Sequence, residues 1–330
     1  MQKRFGLVVR ADEGGLGSLS WDFYKHLEPA KTLVVLSKMP GMPDRFPGAI
    51  VCRQGLPNLA QIEEFLDGLD VIMSFEKPYN WNLFKRAKKK GIKTILVPNY
   101  EWTDENPPEE PDLYICPSKL DFDLVNRENK VYLPIPIDRE IFPFKLRRNA
   151  DVFVFNNGHG GSLGRNGLKE LLEAIAMVPS RIPKFIINSQ VPVEGGILDS
   201  RVTFHCGNLI KEKLYSEGDV FLFPHKFDGL SLPIQEAMSS GMPIISTNLY
   251  PFNTYLPKEL LFEPDGQTWA KMAEGKRTVE KAVLRPRNIA EKIEEWVGQD
   301  ITKYSKEMNK LAEEWSWNNQ KDNWIKIIEQ

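Results

Sequence analysis

The chain has 330 residues, 42% hydrophobic and 27% charged, which suits two globular domains and excludes a disordered or collagen-like polymer. Forty-three Lys and Arg against 45 Asp and Glu leave a formal charge of −2, which excludes a globally basic nucleic-acid binder but not a local basic face. Three widely spaced cysteines (Cys52, Cys116 and Cys206), with no CxxC pair, point to a reducing compartment rather than to a disulfide framework or a zinc site. The apolar run from Phe5 to Val9 has a buried strand's length. It is too short for a signal peptide or a membrane span, so a cytoplasmic protein is expected.

Phe5 to Arg10 predicts a strand buried on both faces, followed by the loop Ala11 to Ser18 and a helix through Trp21, Phe23, Tyr24 and Leu27. Further strands are predicted at Lys31 to Ser37, Val71 to Phe75, Lys93 to Val97 and Leu113 to Cys116, with helices at Asn58 to Leu66 and Trp81 to Lys90. This alternation implies parallel βαβ units in an open doubly wound sheet. A proline-rich stretch from Leu133 to Asn149 reads as a linker. The pattern then restarts: strands at Asp151 to Phe155, Lys184 to Asn188, Arg201 to His205, Asp219 to Phe223 and Pro243 to Ser246, with a helix over Leu168 to Met177. From about Ile289 the tail is helical and rich in tryptophan, and one long aromatic helix there could cross back to the first half.

Two glycine-rich loops sit between a strand and a helix. Gly14, Gly15 and Gly17 would bring backbone N–H groups and a helix N-terminus to a ligand, but Ser20 stands where a dinucleotide fingerprint needs its third glycine. The second loop, Asn157 to Arg165, includes His159 and Gly160 and matches neither GxGxxG nor the phosphate-loop pattern. It does combine backbone donors, Arg165 and a helix start at Gly167-Leu168, the elements a diphosphate site needs. Residues 218–245 are the most specific stretch: a buried strand ends at Pro224, Asp228 follows in a loop, and Pro233 opens a helix that carries Glu236 about one turn in. Both carboxylates can then face one ligand from the carboxyl edge of the sheet, with Gly229, Leu230 and Ser231 presenting N–H groups at a helix N-terminus.

That run resembles the E-x7-E segment of the group-1 (family 4) retaining glycosyltransferases. It reads Asp228-Gly229-Leu230-Ser231-Leu232-Pro233, then Glu236-Ala237-Met238 and Gly241-x-Pro243-Ile244-Ile245. The upstream strand Val202 to Gly207, Asp219-Val220, the linker from Ile137 to Phe142, the loop Gly14 to Gly17 and Trp315-Ser316-Trp317 extend the resemblance along the chain. It implies an α/β GT-B fold, two Rossmann-like domains facing across a cleft: residues 1–140 for the acceptor, 141–308 for the nucleotide-sugar, and a tail helix, 309–330, returning to the N-terminal domain. It also implies a hexosyltransferase that moves a sugar from a UDP- or GDP-type donor to an acceptor hydroxyl with retention, without an essential metal or other cofactor. By resemblance Glu236 holds the ribose and Asp228 the transferred sugar, helped by the Gly229, Leu230 and Ser231 backbone. Asn208 and Leu209 meet the nucleobase; His225, three residues before Asp228, is by its position a candidate for lining the donor site or for packing. Asn166 stands where the family has its diphosphate lysine, leaving Arg165 or His159 for that charge.

In the N-terminal half, Glu101 beside Trp102 suits sugar recognition in an acceptor site. The acceptor itself, whether a small molecule, glycan, lipid or modified DNA, is not specified, and peripheral membrane attachment is compatible with it. Lys85, Arg86, Lys88, Lys89, Lys90 and Lys93 form a basic face that reads as solvated or, alternatively, as a polyanion contact. Asp121-Phe122-Asp123 resembles the metal-binding D-x-D of the other glycosyltransferase fold, but it follows Ser118, a helix N-cap candidate, and no metal site is expected. Two other readings stay open: a nicotinamide-dependent oxidoreductase, disfavoured by the incomplete fingerprint, and an inactive transferase-like binding module.

Overall fold

The computed structural model describes residues 3–37, 40–53, 55–158, 164–193, 199–271 and 278–330. Two compact units emerge. The first comprises residues 1–136, 271–278 and 317–330, and the second residues 137–270 and 279–316.

The first unit is a seven-stranded parallel sheet: β1 (Phe5–Arg10), β2 (Lys31–Val35), β3 (Ile50–Cys52), β4 (Val71–Phe75), β5 (Lys93–Val97), β6 (Leu113–Cys116) and β7 (Lys130–Tyr132), in the order β3-β2-β1-β4-β5-β6-β7. Helices α1 (Gly15–Leu27), α2 (Leu59–Leu66), α3 (Asn82–Lys89) and α4 (Lys119–Leu124) make four of the six crossovers, those after β1, β3, β4 and β6. A capping box in which Asn58 and Gln61 bond reciprocally starts α2. Every residue of β4 is buried, the burial a central parallel strand requires. Its core joins Val8, Leu33 and Ile72 to Ile62, Phe65 and Phe84 from the helices.

The second unit repeats the plan with β8 (Val152–Asn157), β9 (Lys184–Ser189), β10 (Val202–Cys206), β11 (Val220–Phe223), β12 (Ile244–Thr247) and β13 (Leu261–Phe262), in the order β10-β9-β8-β11-β12-β13, all parallel. Alternation along β8 divides the core. Phe153 and Phe155 face α5 (Leu168–Met177), whereas Val154 joins Phe221, Phe223 and α6 (Leu232–Ser239) on the opposite face. The two-stranded ribbon β14 (Gln267–Lys271) and β15 (Thr278–Ala282) precedes the tail.

The tail is three helices rather than one long one: α7 (Pro286–Trp296), α8 (Thr302–Glu314) and α9 (Trp317–Glu329). Hydrogen bonds explain both breaks. After α7 the Gly298 N–H donates to the Ala150 carbonyl at 3.0 Å, and Asp300 Oδ1 accepts from the Thr302 N–H at 2.8 Å to start α8. At the second break the Ile137 N–H donates to the Trp315 carbonyl at 2.8 Å. Past that point α9 belongs to the first unit, where Trp324 is fully buried against Phe23 and donates to the Pro134 carbonyl at 3.2 Å.

Candidate functional site

The strand order of the second unit reverses between β8 and β11, and open α/β sheets bind ligands beyond the carboxyl ends of the strands at such a switch point. The two loops leaving β8 and β11 carry Arg165 and the segment from Pro224 to Ser231. Gly167 lets them meet. It takes φ +70°, and a Cβ there would lie 2.1 Å from the Pro224 carbonyl oxygen, so only glycine permits α5 to begin this close to the end of β11. The Lys226 N–H donates to the Arg165 carbonyl at 2.8 Å, and Lys226 Nζ pairs with Glu170 at 2.7 Å, fixing the loops to each other.

Asp228, buried, lies between two partners, with its Oδ1 4.0 Å from Arg165 Nη1 and its Oδ2 3.8 Å from His225 Nε2. His225 stacks on Phe223 with ring centroids 3.5 Å apart. Burial, followed by the positive charge of Arg165, pushes its pKa well below the ordinary 6.5, so the ring is neutral at neutral pH. Gly229 is buried, and Ser231 is the residue from which α6 starts, with Pro233 in its first turn. Glu236 lies in the second turn, and its Oε2 accepts a 2.7 Å hydrogen bond from the Tyr215 hydroxyl. Around this edge several buried polar atoms have no hydrogen-bond partner among the described residues: Ser231 Oγ, His225 Nδ1, Asn166 Oδ1 and Thr247 Oγ1. Buried polar atoms of that kind cost free energy when unpaired, and their clustering makes this edge a candidate site for a polar ligand.

Asn166, standing at the lysine position, is buried and donates to Asn157 Oδ1 at 3.1 Å, so it serves the loop. Among the described residues Arg165 is a cation placed beside Asp228. His159 and Gly160 lie outside the described residues. Leu209 lines a cavity of about 250 Å³ with Asn188, His205 and Lys213, on the α6 face of the sheet. Asn208 is exposed and accepts from Gln190 Nε2 at 3.0 Å.

In the first unit the Gly14–Gly17 turn is bound up in its own packing. Asp12 Oδ1 takes the Gly14 N–H at 3.0 Å, and a Cβ on Gly17 would lie 1.9 Å from the Asp12 carbonyl oxygen. Gly15 is exposed. Glu101 is buried in the turn after β5, where the N–H groups of Trp102 and Thr103 donate to the Asn99 carbonyl, and Trp102 is half-buried. Asp121 is fully buried. It accepts from the Tyr100 N–H at 2.7 Å and from the Ser118 hydroxyl at 2.5 Å, so it braces a turn. Among the described residues no group of three or more His, Cys, Asp or Glu is placed to hold a metal, and no helix is long and apolar enough to cross a membrane. The basic face of α3 is substantially paired: Arg86 and Lys90 with Glu63, and Lys88 with Glu109 and Asp112. Its positive potential is therefore lower than its composition suggests.

Sequence reasoning missed Tyr215 and Arg147. Tyr215 is an isolated aromatic in the polar run 211–217, yet it is 2% exposed. Arg147 is buried too. It donates to the carbonyls of Gly218, Tyr215 (2.8 Å) and Ser240 (3.3 Å), pinning the turn that presents Tyr215 to Glu236. Burial depresses its pKa, but the carbonyl oxygens solvate its charge.

Two parallel-sheet Rossmann-like domains of this topology define the GT-B architecture of glycosyltransferases. Residues 154–274, which include the Asp228–Glu236 segment, match the family model of glycosyl transferases group 1. Among solved structures the chain is similar to Anabaena HepE in complex with UDP-glucose (12% identity, TM-score 0.68, covering 98% of this chain and 99% of that one). It is also similar to sucrose-phosphate synthase from Thermosynechococcus elongatus (14%, 0.65, 99% and 98%). A third likeness is a glycosyltransferase from Rickettsia africae ESF-5 (12%, 0.68, 99% and 98%). No curated protein sequence matches the chain.

Proposed function

We propose that the protein transfers a sugar from a nucleotide-sugar to an acceptor hydroxyl, with the donor held at the carboxyl edge of β8 and β11. The observation that carries this reading is the convergence there of Asp228, Arg165 and His225 with the α6 N-terminus and the orphaned atoms around them. The solved complex of HepE with UDP-glucose, alike in fold, supports the choice of donor class.

In such a transfer the anomeric carbon gains positive charge while the departing diphosphate gains negative charge. The N–H groups opening α6 and the Arg165 guanidinium stabilise the diphosphate; Asp228 holds hydroxyls of the transferred sugar, and Glu236 those of the ribose. His225, neutral and packed on Phe223, keeps water from the carboxylate and adds no competing charge. Retention, read from the resemblance of the Asp228–Glu236 segment, has the departing phosphate take the acceptor proton on the face it leaves. Glu101, Trp102 and the turn at Gly14, Gly15 and Gly17 are assigned to the acceptor.

Incubation with UDP-, GDP- and ADP-sugars should release nucleoside diphosphate slowly, with anomeric retention visible by NMR once an acceptor is found. Glu236→Ala is expected to weaken donor binding about tenfold, the loss of a charged hydrogen bond, and Asp228→Ala to lower turnover more than affinity. Unchanged affinity and turnover in both variants would refute the placement of the site. Nucleotide binding with no release from any donor would favour a binding module.

A further inference from the structure

Glu236 is one end of a line of polar side chains that crosses the sheet beneath the donor edge. Asn156, Asn188 and His205 are cross-strand neighbours on β8, β9 and β10. Asn188 Nδ2 donates to Asn156 Oδ1 at 2.8 Å, and His205 Nδ1 lies 2.9 Å from Asn188 Oδ1. The Asn156 side chain neighbours the Tyr215 phenol, and its Nδ2 is buried and makes no fully formed hydrogen bond among the described residues.

The carboxylate sets the direction of the whole line. Both groups that α6 offers the Tyr215 hydroxyl, Glu236 Oε2 at 2.7 Å and the Pro233 carbonyl at 3.3 Å, can only accept, so the hydroxyl hydrogen points to α6. The phenol oxygen then faces Asn156 as an acceptor and favours its Nδ2. Asn156 in turn shows its Oδ1 to Asn188, and Asn188 its Oδ1 to His205. A carbonyl oxygen accepts, so His205 Nδ1 carries the hydrogen, and in the neutral ring Nε2 is left with a lone pair. His205 and Asn188 line the 250 Å³ cavity with Leu209 and Lys213.

We propose that this polarised chain presets a nucleobase reader: His205 Nε2 is an acceptor that selects a base with a ring N–H, such as uracil or guanine, over adenine and cytosine. Tyr215, Asn156 and Asn188 are positioning residues for it, and the proposal rests on the nucleotide-sugar reading above. Uracil N3–H and guanine N1–H each adjoin a carbonyl oxygen that suits Lys213. Adenine N1 and cytosine N3 would instead oppose one lone pair to another.

Titration calorimetry of the full chain with UDP, GDP, ADP and CDP tests it. UDP or GDP should bind about tenfold tighter than ADP and CDP, the worth of one hydrogen bond in a shielded site. His205→Ala should reduce that ratio to about twofold, and His205→Gln, which restores an acceptor oxygen, should recover part of it. Tyr215→Phe frees Asn156 to turn its amide over and should lower the same ratio, which a merely structural tyrosine would not do. Equal affinity for all four nucleotides, or a ratio unmoved by His205→Ala, overturns the nucleobase reader and leaves the donor site standing. Binding of none of the four, or an affinity unmoved by Glu236→Ala, overturns the donor-site reading and the coupling to it.

Discussion

His225 shows how one buried side chain ties the site to the stability of its unit. In the folded protein, burial and the Arg165 charge hold its pKa well below 6.5, whereas in the unfolded chain it titrates near that value. Below about pH 6.5 the unfolded state therefore binds more protons than the native state, and stability falls on acidification. From pH 7.5 to 5.5 the contribution of this one group is a loss of about 1.4 kcal/mol. Denaturant titrations across that range should show it, and His225→Asn should flatten the slope; parallel slopes in the two proteins would refute the neutral assignment. At this scale the two carboxylates were legible as a pair because one precedes a proline-started helix and the other lies about one turn inside it, a spacing written in neighbouring residues. Tyr215, Asn156, Asn188 and Arg147 were not. Their partners lie on other strands and turns, so no local spacing records the contact, and Arg147 looks like an ordinary surface charge at the end of a linker.

Among the elements, the turn into α5 is a tight backbone approach near the site. Gly167→Ala adds a Cβ 2.1 Å from the Pro224 carbonyl oxygen at a positive φ; the Leu284 side chain at 2.9 Å can turn away, but the backbone oxygen cannot. A destabilisation of about 2 kcal/mol is expected, a fall of about 4–8 °C in Tm, with loss of nucleotide affinity as Arg165 is displaced. Scanning calorimetry with a nucleotide titration checks both, and a silent substitution would mean that α5 can start elsewhere. The central parallel strands were readable as elements because burial on both faces leaves short, nearly continuous apolar runs, whereas β3, β7 and β13, only two or three residues long at the sheet edges, were not. Nor was the tail: its aromatic pattern looks like one helix, although Gly298 at φ +71° and Asp300 mark the first break locally, and the hydrogen bonds of Ala150 and Ile137 to residues 298 and 315 complete the division into three.

At the level of the whole molecule, the chain closes its first unit with its last helix. Trp324 is fully buried with its ring edge-on to Phe23, and Trp317 stacks on His26 at 4.4 Å and packs edge-on against Phe23. Trp324→Ala should cost about 3–5 kcal/mol. Hydrogen exchange should locate the loss in α1, β1 and α9, and protection lost chiefly in the second unit would contradict the assignment of α9 to the first. By itself the sequence determined two α/β halves, the strands β1, β2, β4 to β6 and β8 to β12, and the Asp228–Glu236 segment, because strand burial and helix capping are written in neighbouring residues. Only the tertiary structure decided that Asn166 is a loop residue, that much of the basic face of α3 is neutralised by Glu63, Glu109 and Asp112, and that Glu236 is held by a tyrosine. Each of these depends on which distant residue arrives within about 3–4 Å, the range over which a hydrogen bond or an ion pair acts, and that is a property of the packed chain rather than of its order.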